Sequence, residues 1–254
     1  MTPPFIASAT LETVGVRHGF FGRNGGVSSG AFLSLNASLT GGDDPDQVRE
    51  NRARIATALG YAPHELITVR QVHSADVVTV AGPLTDPLPE ADALVSATPG
   101  VLLGILTADC SPILLADPQA RIIGAAHAGW KGALSGIVGA TVTAMEQLGA
   151  DRGRIIAAIG PTISVAHYEV GPDFMADALA LAPGARPFFS MSPGQRPHFD
   201  LPGFVAADLA TAGVRTIDAL GLCTYADPER FFSHRFATHQ RTGAGRQLSV
   251  IGLI

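Results

Sequence analysis

The chain has 254 residues, of which 46% are hydrophobic and 15% are charged, so it can bury a sizeable core and is not a disordered protein. The formal net charge is −5 and the sequence contains no cluster of Lys or Arg that could bind a phosphate backbone, which argues against a nucleic-acid partner. Two cysteines, Cys110 and Cys223, are too few for the disulfide framework of a small secreted protein.

The N-terminal segment and the apolar runs indicate in which cellular compartment the protein is expected. The segment MTPPFIASATLETVG lacks a basic stretch followed by an apolar core, so it does not predict a signal peptide. The longest apolar stretch, residues 93–108, is too short for a membrane span and contains Pro99. We therefore expect a cytoplasmic protein without a membrane partner.

The first third of the chain predicts a strand, a glycine-rich loop and a helix. Residues 13–37 are interpreted as a strand that enters the loop GRNGGVSSG. A helix follows, with Asp44 or Asp46 as its cap, Pro45 in its first turn and Gly60 at its end. Residues 64–82 are interpreted as two strands around a turn at residues 73–76.

The remaining two thirds predict a succession of short strands with fewer helices. Strands are predicted at 93–96, 101–107, 112–117, 121–127, 154–160 and 246–254, and helices at 133–148, 171–181 and 202–213. Because strands follow one another without alternating helices, we expect a single α+β domain over residues 1–254. Mixed or antiparallel sheets should pack against flanking helices in it.

Three segments end an apolar strand with a residue that can bind a metal or act as a nucleophile. RQVHSADV contributes His73, TADCSP contributes Cys110 and AAHAGWKG contributes His127. One cysteine and two histidines suit Zn²⁺ and would leave a fourth position open. Residue types alone leave two alternatives open: all three are satisfied core residues, or Cys110 is a nucleophile whose pKa a histidine lowers.

Other polar residues could bind an anion. The glycine-rich loop at residues 22–30 could bring backbone N–H groups to an anion, but it lacks the ending of a phosphate-binding P-loop. Arg23, Arg52 and Arg235 are candidates for gripping phosphate. A solvated surface role is the alternative for each of them.

Several segments, in this order, resemble the YfiH family, which is also called the laccase-domain or polyphenol-oxidase family. They include HGFFGRNGGVSSGAFLSLN, NRARI, RQVHSADV, ADALVSATPGVLLGILTADCSPILLAD, AAHAGWKG, IGPTISVAHYEVG and CTYADPERFFSHR. The resemblance implies an α+β fold and a zinc site at His73, Cys110 and His127. It also implies substrate or phosphate contacts at Arg52 and Asn36. His167 stands where the family often has a cysteine, so a mechanism that needs a cysteine there is in doubt.

The resemblance implies a zinc-dependent purine nucleoside phosphorylase that also deaminates adenosine, with a purine nucleoside and phosphate as its small-molecule substrates. Cys110, His73 and Arg52 are the expected catalytic residues. Asp109, next to Cys110, would contact the substrate and carry protons in deamination, and Arg23 would also contact the substrate and help Arg52 to position phosphate. We expect a monomer or a small homo-oligomer.

Three alternatives stay open. A copper laccase is disfavoured, because the chain has 8 His and no His-x-His pair, whereas four coppers need about ten histidines. Copper bound adventitiously at the three residues could still give weak oxidase activity. A cysteine hydrolase that edits peptidoglycan precursors would use Cys110 as its nucleophile. A binding module would use a structural zinc ion.

Overall fold

The computed structural model describes residues 2–13, 15–192 and 194–254. Its strands, in chain order, are β1 (Phe5–Ile6), β2 (Val16–Phe21), β3 (Leu66–Ile67), β4 (Val77–Thr79), β5 (Ala93–Ser96), β6 (Leu102–Thr107), β7 (Ser111–Asp117), β8 (Ile122–Ala128), β9 (Ile156–Ile159), β10 (Phe189–Ser190), β11 (His198–Phe199), β12 (Thr216–Ala219) and β13 (Gln247–Leu253). Its α-helices are α1 (Pro45–Ala58), α2 (Trp130–Leu134), α3 (Ile137–Gln147), α4 (Pro172–Leu181), α5 (Leu201–Thr211) and α6 (His234–Gln240). No helix in these residues has the length and apolar character needed to cross a membrane.

The strands form two large sheets and a small hairpin. The five-stranded sheet has the order β1-β2-β13-β6-β3, and the six-stranded sheet has the order β12-β9-β7-β8-β5-β4. Strands β10 and β11 pair with each other. The pairs β3–β6, β4–β5 and β9–β12 are parallel and the other pairs are antiparallel. The predicted α+β fold with mixed sheets is therefore confirmed.

Three apolar cores separate the layers. Helix α1 packs Ile55 and Ala56 against the outer face of the five-stranded sheet. The two sheets face each other across a core that includes Ile105 and Leu114. The other face of the six-stranded sheet packs against helices α2 to α5. Because β7 is covered on both faces, all seven of its residues are buried, which is why residues 112–116 form a continuous apolar run.

Two connections carry the chain from the five-stranded sheet to the six-stranded sheet, and we call them the crossing segments. The first joins β3 to β4 and carries His73, and the second joins β6 to β7 and carries Cys110. Strand β8 runs antiparallel to β7 and pairs His127 with Pro112. The fold thus brings His127 to the place where the second crossing segment enters the six-stranded sheet.

The structure corrects one prediction of local structure and refines another. The helix predicted at residues 133–148 is divided into α2 and α3, because Gly136 has the left-handed φ of 91° and interrupts it. The two strands predicted around His73 are short and belong to different sheets. The helix after Asp44 is confirmed, since the Asp44 side chain accepts a hydrogen bond from the Asp46 backbone N–H.

Candidate metal centre

His73, Cys110 and His127 come together at the end of the six-stranded sheet. Their ligand atoms all lie within 4.8 Å of one another, and the two imidazole rings meet edge to face. The distance from Cys110 Sγ to His73 Nε2 is 3.8 Å. Tetrahedral zinc with typical bonds to nitrogen and sulfur needs about 3.6 Å between two such atoms. The predicted cluster is therefore assembled, and its size and donor types fit a metal ion.

The Asp92 carboxylate positions two of the three residues. It is fully buried, and its Oδ1 lies 2.7 Å from His127 Nδ1. Its Oδ2 accepts hydrogen bonds from the backbone N–H groups of Val72 and Ser74, which flank His73. A hydrogen bond at Nδ1 leaves His127 Nε2 for a metal and fixes the orientation of the ring.

The two crossing segments contain strained backbone at the cluster. His73 has a φ of 63° and Asp109 has a φ of 84°, in the left-handed region that residues with a side chain seldom adopt. The hydrogen bonds of Asp92 on both sides of His73 hold the first strained residue. Strain of this kind persists only where the surroundings enforce it, and it is concentrated at functional sites.

Gly129 leaves room beside the cluster. A Cβ atom at this position would lie 2.5 Å from His73 Cδ2 and 3.2 Å from Cys110 Sγ. The absence of a side chain at the start of α2 therefore lets the backbone approach the His73 and Cys110 side chains closely. His73 is exposed, Cys110 is half-buried and His127 is buried, so the cluster is open to solvent at His73.

The three side chains influence one another's protonation. Burial raises the pKa of the Cys110 thiol, but the charges and hydrogen bonds of His127 and His73 outweigh it and lower that pKa to about 6. Burial lowers the pKa of His127, but Cys110 and Asp92 raise it to about 9. Burial opposes ionisation of Asp92 as well, yet hydrogen bonds from His127 and Ser74 lower its pKa to about 2. The cluster without metal thus favours a thiolate beside an imidazolium.

Asp109 joins three segments of the chain beside Cys110. Its Oδ1 accepts a hydrogen bond from the Thr224 hydroxyl at 2.6 Å, and its Oδ2 accepts one from the Arg235 backbone N–H at 2.7 Å. Its carbonyl oxygen accepts hydrogen bonds from Ile163 N–H and the Thr162 hydroxyl. Both carboxylate oxygens are therefore engaged by the protein, and the substrate contact assigned to Asp109 stays a prediction.

Arg52 and Asn36 lie by the first crossing segment and α1. The guanidinium of Arg52 donates through Nε to Ala37 O and through Nη1 to the Thr68 hydroxyl. Burial lowers its pKa to about 10, and no carboxylate in the described part of the chain forms an ion pair with it. Asn36 is buried, its Nδ2 donates to Asp43 Oδ2, and its Oδ1 accepts from Arg246 N–H. The substrate contacts of both residues stay predictions.

Arg23 serves the packing of the glycine-rich loop. Its Nε donates to Leu33 O, its Nη1 donates to Pro228 O, and its guanidinium lies 4.8 Å from the centre of the Phe232 ring. It lines a cavity of about 410 Å³ together with the Phe232 and Phe236 side chains. Neither this cavity nor a smaller apolar one at the N-terminal strand is lined by the three cluster residues. The predicted role of Arg23 in positioning phosphate is not tested by these contacts.

Sequence reasoning missed Asp92, Gly129 and Tyr168. Burial raises the pKa of the Tyr168 phenol, and the charge of Cys110 raises it further, which reflects how near this ring lies to the cluster. Asp92 had a signal in the sequence, because it is a carboxylate at the head of the fully buried strand β5. A charge in that position needs a partner, and His127 is the partner.

Comparison with known proteins identifies the family. The family model described as "Multi-copper polyphenol oxidoreductase laccase" matches residues 17–254. A protein of Deinococcus radiodurans named "Purine nucleoside phosphorylase" is 45% identical over 254 residues, which is 100% of this chain and 95% of the relative. A second relative, "Purine nucleoside phosphorylase YfiH" of Escherichia coli, is 36% identical over 91% of each chain.

A solved structure agrees with these relatives. The crystal structure of the Bacillus licheniformis hypothetical protein YfiH has a TM-score of 0.85 and 31% sequence identity, and it covers 94% of this chain and 93% of its own. The match therefore extends over nearly the whole fold. The chain belongs to the YfiH family, whose family model carries the laccase description.

Proposed function

We propose that this protein is a purine nucleoside phosphorylase that depends on zinc at His73, Cys110 and His127. The carrying observation is the assembled cluster, with ligand atoms within 4.8 Å of one another and a side open to solvent. The names of the Deinococcus and Escherichia relatives support the substrate class. One thiolate and two imidazoles favour zinc, and a bound metal would supply Lewis-acid activation there.

The proposed reaction breaks the bond between the purine nitrogen and C1′ of the ribose. A phosphate oxygen forms a new bond to C1′, and the purine leaves with the bonding electron pair and takes up a proton. Arg52 would hold phosphate by paired hydrogen bonds and offset its charge, with Arg23 assisting, and Asn36 would contact the nucleoside. Asp92 would keep His127 in the required tautomer.

We propose adenosine deamination as a second activity of the same site. In this reaction water replaces the amino group of the purine, so a proton must move from the water to the departing ammonia. Asp109 is the carboxylate next to Cys110, and we assign to it the transfer of this proton from the water to the ammonia. Because the Thr224 hydroxyl and Arg235 N–H already bind this carboxylate, the proton transfer would require the Thr224 hydrogen bond to rearrange.

A product assay tests both activities. Protein of measured zinc content is incubated with adenosine and with inosine, with and without phosphate, and the products are separated by chromatography. We expect adenine or hypoxanthine with ribose 1-phosphate only when phosphate is present, and inosine from adenosine in either case. Zinc-loaded protein that turns over neither nucleoside would refute the proposal.

One observation favours a second candidate, a cysteine hydrolase acting on peptidoglycan precursors. The arrangement Cys110–His127–Asp92 resembles a nucleophile, a base and an orienting carboxylate, and the pKa of Cys110 is lowered to about 6. Iodoacetamide labelling separates the two functions. A hydrolytic Cys110 should be alkylated rapidly in protein as purified, whereas a metal ligand should be protected until a chelator removes the metal.

Metal analysis addresses copper and the non-catalytic alternative. Protein loaded separately with zinc and copper would be assayed for nucleoside turnover and for phenol oxidation. We expect nucleoside turnover with zinc. If the protein is a binding module with a structural zinc ion, the zinc-loaded protein should turn over no nucleoside. Removal of the zinc should then lower its melting temperature strongly.

A further inference from the structure

An arginine of α6, Arg235, is hydrogen-bonded to the second crossing segment, and the assignment of phosphate to Arg52 leaves it unused. Arg235 is the second residue of α6, and its backbone N–H donates to Asp109 Oδ2 at 2.7 Å. Asp109 directly precedes Cys110, so this hydrogen bond fixes α6 beside the cluster. Arg52, in contrast, contacts Thr68 at the start of the first crossing segment.

The guanidinium of Arg235 is held in place but not neutralised. Its Nη1 donates to Glu169 O at 2.8 Å, and its centre lies 5.5 Å from the centroid of the Tyr168 ring. The Glu169 carboxylate faces Arg196 instead, at 3.6 Å. No ion pair involves Arg235 within the described residues, so a half-buried cation keeps N–H groups for a ligand.

The surface beneath the guanidinium is rigid. The Tyr168 carbonyl accepts a hydrogen bond from Phe199 N–H, and the Tyr168 ring packs against Phe174 and Phe199 at about 6 Å between centroids. Phe174 in turn packs against Trp130, the residue that follows Gly129. A stacked arginine on such a support loses little conformational entropy when it binds an anion.

We propose that Arg235, stacked on Tyr168, binds an oxyanion beside the metal cluster, that this oxyanion is the phosphate consumed in the proposed phosphorolysis, and that Arg235 therefore takes the place of Arg52 as the principal phosphate contact. The inference rests on the proposed function for the identity of the anion. The fork of N–H groups on an arginine suits two oxygens of one phosphate. Because the Arg235 backbone N–H binds the carboxylate of Asp109, which precedes Cys110, a phosphate held by this arginine would lie on the Cys110 side of the cluster, as its attack on a nucleoside bound there requires.

Direct binding of inorganic phosphate tests the site without reference to turnover. Isothermal titration of phosphate into metal-loaded wild-type protein should show binding, and Arg235→Gln should raise the Kd between about 10-fold and 100-fold, as expected for the loss of charged hydrogen bonds. Arg235→Lys keeps the charge without the fork and should give an intermediate Kd. It also serves as the test if Arg235→Gln does not fold. Absence of phosphate binding by the wild type, or an unchanged Kd in the folded variants, would overturn the proposal.

A matched control separates a local contact from a general effect of charge. Arg196→Gln removes an exposed positive charge that neighbours Glu169, so its phosphate Kd should stay within about twofold of the wild-type value. An equal rise in both variants would refute a specific site at Arg235.

Kinetics then separate this inference from the proposed function. Wild-type turnover with an unchanged KM for phosphate in Arg235→Gln refutes only Arg235, and absence of wild-type turnover refutes phosphorolysis.

Discussion

Two fully buried carboxylates stand at opposite ends of the six-stranded sheet and have different partners. Asp117 ends β7, and it accepts hydrogen bonds from Arg154 and from the backbone N–H groups of Ala120 and Asp151. Asp92 precedes β5 at the other end, and its charged partner is His127. Arg154 is permanently charged, whereas His127 exchanges protons and presents a second nitrogen. One carboxylate therefore closes a turn, and the other orients the imidazole of His127 in the cluster.

Removal of a cluster residue should give the largest effect. Cys110→Ala deletes the only sulfur donor of the cluster, so we expect loss of tightly bound metal and a fall in nucleoside turnover of at least about 100-fold. Atomic absorption and the product assay measure the two quantities. Cys223→Ala is the matched control, because Cys223 lies outside the cluster and its Sγ accepts hydrogen bonds from Ser164. Wild-type metal content and turnover in Cys110→Ala would contradict the assignment.

The pH dependence of metal binding should distinguish the cluster from the Asp117 end of the sheet. Metal binds deprotonated ligands, and His127 in the metal-free cluster is protonated below a pKa of about 9. Between about pH 6 and pH 9 the Cys110 thiolate is already formed, so binding should release the His127 proton. Affinity should then rise about tenfold per pH unit in this window and more steeply below it.

Competition titrations with a chelator of known pH dependence measure this slope. Proton release in buffers of different ionisation enthalpy gives an independent count. An affinity that does not change between pH 6 and pH 9 would show that His127 is neutral before metal arrives. Asp117 should not contribute, because its pKa is lowered by Arg154 and backbone hydrogen bonds despite its burial, and it is ionised throughout this window.

The two carboxylates should respond differently to the same substitution. Asp92→Asn loses the charge that orients His127, and metal affinity should fall between about 10-fold and 100-fold. Asp117→Asn should leave metal affinity unchanged and lower the free energy of unfolding by about 1–3 kcal/mol, since it weakens hydrogen bonds to a charged group. Chelator titration and urea denaturation of both variants give the comparison. Equal losses of metal affinity would mean that Asp92 acts only through stability.

Strands and helices that depend on a local sequence pattern could be predicted. Contacts between residues far apart in the sequence could not. Strands β5 and β7 were predicted because burial on both faces gives continuous apolar runs. Pairing of Asp92 with His127 joins separate strands and has no local signature. Gly136 divides the helix predicted at residues 133–148. The periodic spacing of apolar residues gave no sign of its left-handed backbone conformation.

The three cluster residues are a different case. Each stood at the end of an apolar run, but their spacing in sequence fits no local metal motif, so the residues alone left a core role open. The family resemblance selected them, and their proximity follows from two crossing segments that meet at one end of a sheet. The position of Arg235 relative to the cluster depends on the hydrogen bond between its backbone N–H and the Asp109 carboxylate, which attaches α6 to the second crossing segment. Sequence pattern does not contain that information.

The smallest effect is expected from Gly129→Ala, which tests how firmly the His73 side of the cluster is held. The added Cβ would lie 2.5 Å from His73 Cδ2, so the ring must move, whereas buried His127 should keep its hydrogen bond to Asp92. Because His73 is exposed and can shift, we expect metal affinity to fall by about tenfold or less, with little change in the melting temperature. Gly139→Ala is the control, since no atom lies within 4 Å of a Cβ there. Unchanged affinity in Gly129→Ala would mean that His73 binds metal from a position other than the one in this structure. Complete loss would mean that the His73 side is as rigid as the His127 side.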